Sequence, residues 1–335
     1  MGATLNTLIE TLLLVDWNTR VVVLGTAMLG VAAGVIGSIL LLRKRALIGD
    51  TMSHAMLPGV VGAFLLMQAF GGTGKSFAGL LVGAAIAGGL AAIAVPLLRR
   101  MTGLKNDSLM GIILGGGFGL GIVMLSIAQS MPGSNQAGLE SFIYGRTASM
   151  VHADAMAIGF TSVIALLVSM ALAKEFRLLC FDAAFGQSMG RRESWLDFGL
   201  MLLAVLVTVV GLQAVGLILV IALFIIPAVA ARFWSDEFVH MMVLAGLFGG
   251  LCCWVGASFS AVTPGWPAGA VIVLVLAASC GMSMLIGIRQ GVLWRWVHAH
   301  RLRRRTEAQH LLRAAAETVE STGSDLWTME SLAMR

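Results

Sequence analysis

Apolar runs recur along this chain at about 20–42, 46–70, 77–98, 108–130, 150–173, 195–212, 214–231, 239–260 and 267–288. Most approach the roughly 20 residues that carry an α-helix across a bilayer. A lipid interior offers no partner to a bare backbone group, so such segments are confined to helices. The expected fold is therefore all-α: a polytopic membrane helix bundle of about nine transmembrane helices. The weakest boundary is Gly211 to Gly216, broken only by Gln213 and glycines, and it leaves about eight as the alternative. A soluble enzyme is excluded by composition, since 58% of residues are hydrophobic and 12% charged, against roughly 25% charged in a soluble domain.

Charge sets the expected topology. With the N-terminus outside and the C-terminus cytoplasmic, nine crossings put Arg43, Lys44, Arg45, Arg99, Arg100, Lys105, Lys174, Arg177, Arg191, Arg192, Arg232 and the arginines of the tail on the cytoplasmic side, as the positive-inside rule requires. Only Arg20, Lys75 and Arg146 fall outside. The organisation read from this is an extracytoplasmic segment at 1–18, amphipathic enough to lie on the interface, a transmembrane domain at 19–288 and a polar cytoplasmic tail at 289–335. The net charge of +5 and the tail's "RLRRR" are read as lipid anchoring and not as nucleic-acid binding. The N-terminus lacks the pattern of a cleaved secretory signal. The four cysteines have no disulfide or metal spacing.

"AFGGTGKS" at 69–76 nearly matches the phosphate-binding G-x-x-x-x-G-K-[ST] loop, with Ala69 in place of the first glycine. That motif needs a preceding strand and a soluble helix behind it. Here it joins two membrane helices, so Gly71, Gly72 and Gly74 are read as a turn.

The stretch "RKRALIGDTMSHAMLPGVVGAFLL" at 43–66 carries the candidate chemistry. Asp50 and His54 are four apart, which puts both on one face of a helix, with His54 expected close to mid-membrane and Asp50 one turn nearer the cytoplasm. Ionisable groups inside a membrane are costly and usually line a bundle interior or a pathway. Pro58 has no N–H for the carbonyl of residue 54, so a kink should free that oxygen. Carboxylate, imidazole and carbonyl suit Mn, Zn or Fe(II) better than the thiolates that select Cu(I). Spacing alone equally allows a buried ion pair that merely holds the bundle together. Asp154 is the nearest rival acid.

The chain resembles the permease subunits of the ABC importers for zinc, manganese and iron, the family of the ZnuB, MntB and TroC type. "ALIGDTMSHAMLPGV" at 46–60 is close to that family's Gly-Asp-x-x-Ser-His-x-x-Leu-Pro-Gly signature. "NDSLMGIILGGGFGLGIVMLS" at 106–126, "IYG" at 143–145, "FDAAFGQSMG" at 181–190, "VGLILVIALFIIPAVAA" at 215–231 and "TPGWPAG" at 263–269 follow in the family's order, over about residues 15–288. The 181–190 segment lacks the family's usual Pro or Glu after the Asp, and "IYG" replaces Leu-Phe-Gly.

The resemblance implies a translocation pore and not an enzyme, in the bacterial inner membrane. Cytoplasmic ABC ATPase subunits would drive it, a second permease subunit, identical or related, would pair with it, and an extracytoplasmic binding protein would deliver the ion. It implies no permanently bound cofactor, a divalent transition metal as cargo, Asp50 and His54 as a transient metal site, and Asp182, Gly186 and Gly190 as the loop contacting the ATPase. Other readings are the permease of a siderophore, haem or cobalamin importer, which would not need the pair, and an ion-coupled secondary transporter, which often shows an internal repeat not found here. A membrane metalloprotease would carry H-E-x-x-H, and none occurs.

Overall fold

The structure, a computed structural model, describes residues 17–45, 47–70, 76–130, 150–190, 193–263, 266–289, 291–294 and individual positions between 306 and 317. Most of the N-terminal segment, the glycine turn at 71–74, "IYG" and nearly all of the tail lie outside the described residues.

The described chain is helical. In order, the elements are α1 (Trp17–Leu42), α2 (Ile48–Ala69), α3 (Phe77–Thr102), α4 (Asn106–Ser130), α5 (His152–Ala171), α6 (Ala173–Phe181), α7 (Ala183–Ser188), α8 (Glu193–Val215), α9 (Leu217–Arg232), α10 (Phe238–Val262) and α11 (Ala268–Ile286). Among the described residues, α1 to α5, α8, α10 and α11 are the eight helices long and apolar enough to cross a membrane. The ninth apolar run forms α9, of 16 residues, or about 24 Å of helix.

The ambiguous boundary is resolved at Gly216, where φ is +81°, a backbone state that costs a side chain but not glycine. The chain reverses there. Gly211 of α8 faces Val220 of α9 so closely that a Cβ added to the glycine would meet Val220 Cγ2 at 2.8 Å. At its far end α9 brings Ala231 against Leu41 and Leu42, where α1 finishes. Thus α9 returns to the end of the bundle from which α8 started. Its apolarity on all sides has a packing reason, because Leu219, Val220, Leu223, Phe224, Pro227 and Ala228 are all buried among neighbouring helices.

Helix α1 is the axis of the bundle, packed against α5, α9 and α10. It approaches α10 closely, where a Cβ on Gly30 would lie 2.5 Å from the Gly249 carbonyl oxygen. Lipid gives helices little hydrophobic reason to associate, so contact of this kind between small residues is what holds them together. Helix α2 lies between α3 and α4, and α8 spans the back of α1, α2, α3 and α5. This arrangement gathers the C-terminal ends of α1 and α3 and the N-terminal ends of α2, α4 and α8 at one end of the bundle, where Arg43, Arg45, Arg99 and Arg100 collect.

Gly30→Val should push α1 off α10 and cost about 1–3 kcal/mol or more. Gly89→Val, at a position with open space beside it, should leave stability near wild type. Thermal unfolding of the purified variants in detergent checks the contrast.

Candidate functional site

Helix α2 begins at Ile48, so Asp50 stands in its first turn and His54 in its second. His54 therefore sits about 9 Å along the helix axis, somewhat nearer the middle of α2 at Gly59 than its first residue. An acid in the first turn is favoured by the positive end of the helix dipole.

The two side chains point together. His54 Nε2 is 3.3 Å from Asp50 Oδ1, with 20% and 27% of the two side chains accessible. That separation is looser than the roughly 2.7–2.9 Å of a tight charge-assisted bond. The other ring nitrogen, His54 Nδ1, is buried and has no hydrogen-bond partner. Buried polar atoms are rarely left so. An imidazole whose Nε2 faces the carboxylate therefore keeps a lone pair on Nδ1 free for another group.

Helix α4 forms the wall beside it. Gly117 lets the backbones approach until its absent Cβ would stand 2.9 Å from Ala55 Cα. The next residue, Phe118, sets its ring edge-on to the imidazole with centroids 5.0 Å apart. Pro58 lies inside α2 one turn beyond His54, where it withholds an N–H from the His54 carbonyl. Ser53 and Thr51 donate their hydroxyl hydrogens to the carbonyls of Gly49 and Leu47. Among the described residues no three His, Cys, Asp or Glu side chains gather closely enough to hold a metal ion. The rival Asp154 is a helix cap: its Oδ2 accepts the Val151 N–H at 3.2 Å at the start of α5.

The predicted ATPase loop is a helical elbow. Asp182 separates α6 from α7, and its Oδ1 accepts the Phe185 N–H at 2.9 Å, which caps α7. Gly186 lies against Leu178, 3.3 Å from Cδ2 to a notional Cβ. Gly190 closes the element with φ +78°. Beside it a groove of about 860 Å³ is lined by Arg177, Phe181, Asp182, Asp236 and Glu237 among others.

Sequence reading missed the group joining this elbow to α2. Arg43, just past α1, donates from Nε to Asp197 Oδ1 at 3.1 Å and from Nη2 to Asp197 Oδ2 at 3.0 Å. It also pairs with Glu193 and donates to the Leu179 carbonyl at 3.1 Å. Arg45 reaches Asp197 Oδ2 at 2.8 Å. Burial depresses the pKa of Arg43, yet Asp197 and Glu193 more than offset it and the net shift is upward. For Arg45 burial wins and the shift is downward, with Arg43 and Arg99 adding repulsion to the attraction of Asp197. The signal in the sequence was Asp197 within an apolar run, since a buried charge requires a partner.

Asp197→Ala should cost about 3–5 kcal/mol, because the buried Arg45 loses its counter-charge and the partly buried Arg43 keeps only Glu193. Glu193→Gln, at a more exposed position, should cost about 1 kcal/mol or less. Unfolding midpoints of the two variants check the ranking.

Comparison with known proteins places the whole bundle. The family model "ABC 3 transport family" matches residues 17–287. The manganese transport system membrane protein MntC of Bacillus subtilis is 39% identical over 90% of this chain and 68% of its own length. The zinc transport system membrane protein TroC of Treponema pallidum is 40% identical over 83% of this chain and 92% of its own. Among solved structures, PsaBC from Streptococcus pneumoniae in complex with Fab matches at a TM-score of 0.70 with 26% identity, covering 86% of this chain and 97% of that one. The chain, an array of membrane-spanning helices with this sequence pattern throughout, belongs to the ABC 3 transport family of permeases.

Proposed function

We propose that this chain is the pore-forming subunit of an ATP-driven importer that carries Mn, Zn or Fe into the cytoplasm, with Asp50 and His54 as a transient stop for the ion. The observation that carries this reading is the pair itself: a carboxylate and an imidazole, loosely joined, with the buried Nδ1 unpartnered. Relatives named for manganese and zinc transport support the cargo class. Oxygen and nitrogen donors together suit such ions.

Two donors make a weak site, and a pore needs weakness. A closed four-ligand cage retains its ion, whereas a carboxylate, an imidazole and water release it. The remaining coordination comes from water or from the second permease subunit. The protein would sit in the bacterial inner membrane with its N-terminus outside and its tail inside. Residues 19–288 would form the permease body, and an extracytoplasmic binding protein would deliver the ion.

The elbow at Asp182, Gly186 and Gly190 would receive the ATPase. Its movement would reach α2 through Arg43, which holds the end of α6 and the start of α8. The backbone then passes directly into α2, where the Ile48 N–H donates to the Arg45 carbonyl at 3.1 Å.

The test is metal uptake in cells lacking other importers, with Mn, Zn and Fe supplied in turn and membrane expression matched. Asp50→Ala and His54→Ala are each expected to lower uptake of one metal by roughly tenfold or more while assembly with the ATPase persists. Uptake at the wild-type rate by both variants would make the pair structural.

A further inference from the structure

A cavity of about 300 Å³ opens at the common end of the bundle, between the C-terminal turn of α3 and the first turns of α4 and α8. Its volume is roughly that of ten liquid waters. Its polar lining includes Arg45, Arg99, Arg100, Asn106, Ser194 and Asp197. The electrostatics favour an anion. Both carboxylates of the lining, Glu193 and Asp197, are already engaged by Arg43 from the other side, and Arg45 shares Asp197. Arg100 is held only by a 3.2 Å bond to the Ser194 hydroxyl. The Arg99 side chain lines the same space and makes no side-chain hydrogen bond or ion pair among the described residues. Four arginines thus meet two acids. The N-terminal residues of two helices, Asn106 and Glu193, also border the space, adding the positive ends of their dipoles.

Two features narrow the anion to a phosphate ester bearing hydroxyls. Guanidinium forks match phosphate oxygens in pairs. Asn106 Oδ1 is buried at the same place without a donor, and a headgroup hydroxyl would supply one. The surroundings select lipid as the source. The inner wall is apolar, made by Val95, Phe198 and Met201. Along α3 the outward face continues as Ile93 and Leu97, both at least half exposed, and Trp195 stands out from α8 beside Ser194, as interfacial aromatics do.

We propose that this cavity binds the headgroup of an anionic phospholipid of the phosphatidylglycerol kind, its phosphate held by Arg99 and Arg100 and its hydroxyl by Asn106. Such a lipid would lock the ends of α3, α4 and α8 together beside the Arg45–Asp197 pair. The site would be set by the membrane and not by the transported ion.

The test uses the purified full-length chain in mild detergent, titrated with short-chain phosphatidylglycerol, short-chain phosphatidylcholine or inorganic phosphate at matched ionic strength, with the thermal unfolding midpoint as readout. Phosphatidylglycerol should raise the midpoint saturably and more than either other probe. Arg99→Ala/Arg100→Ala should weaken its apparent affinity roughly 30-fold, while Arg177→Ala, in the neighbouring groove, should not. Asn106→Ala should weaken the response to phosphatidylglycerol without changing that to phosphate, which keeps the test valid should the double variant fold poorly. Equal effects of phosphatidylcholine and phosphatidylglycerol, or an unchanged response in both the double and the Asn106 variants, would overturn the site. An equal shift from inorganic phosphate alone would overturn the lipid source. A double variant that keeps its lipid response but loses the ATPase would overturn it in favour of a protein contact.

Discussion

Everything at one end of this bundle depends on how two neighbouring guanidiniums, one buried and one partly buried, are neutralised. Arg43 and Arg45 lie in the short turn between α1 and α2, and Arg45 is only 4% exposed. Removing such a charge from water is costly unless it is paired. Asp197 and Glu193, at the start of α8, supply the pairing, and the Leu179 carbonyl takes a further N–H. One set of charge-assisted bonds thereby fixes the end of α1, the end of α6, the start of α8 and, through the backbone at Ile48, the start of α2. Packing elsewhere is of small residues on backbone and has little directional content. The arginine cluster supplies the direction.

Helix α2 is the element that this anchoring serves. Its first turns carry Asp50 and His54, its middle carries Pro58, and it is confined by α3 and α4 on either side. The histidine is not tightly bonded to its neighbour, with one nitrogen 3.3 Å from a carboxylate and the other buried alone. A purely structural ion pair would be expected to close to a shorter distance and to satisfy the second nitrogen. A stop on a metal path has reason to do neither.

The membrane fold was legible because lipid leaves a chain few options, and the apolar runs map onto the helices within a few residues. The uncertain boundary was uncertain for a physical reason: Gly216 makes a reversal by backbone conformation alone, with no polar loop to announce it. The pair on α2 was legible from the four-residue spacing and the cost of charge in an apolar run. Asp154 looked like a rival only because a capping acid and a buried acid read alike in sequence. The Arg43–Asp197 cluster joins residues 154 positions apart, and no local pattern encodes such a pairing.

The most direct measurement of the central claim is pulsed electron paramagnetic resonance on Mn(II) bound to the purified transporter, reading the coupling of the ion to ligand nitrogen. Coordination by His54 predicts an imidazole nitrogen coupling that disappears in His54→Ala and persists when His240, exposed at the start of α10, is replaced by Ala. A nitrogen signal unchanged in His54→Ala would contradict it, and α2 would then carry its acid and histidine for packing alone.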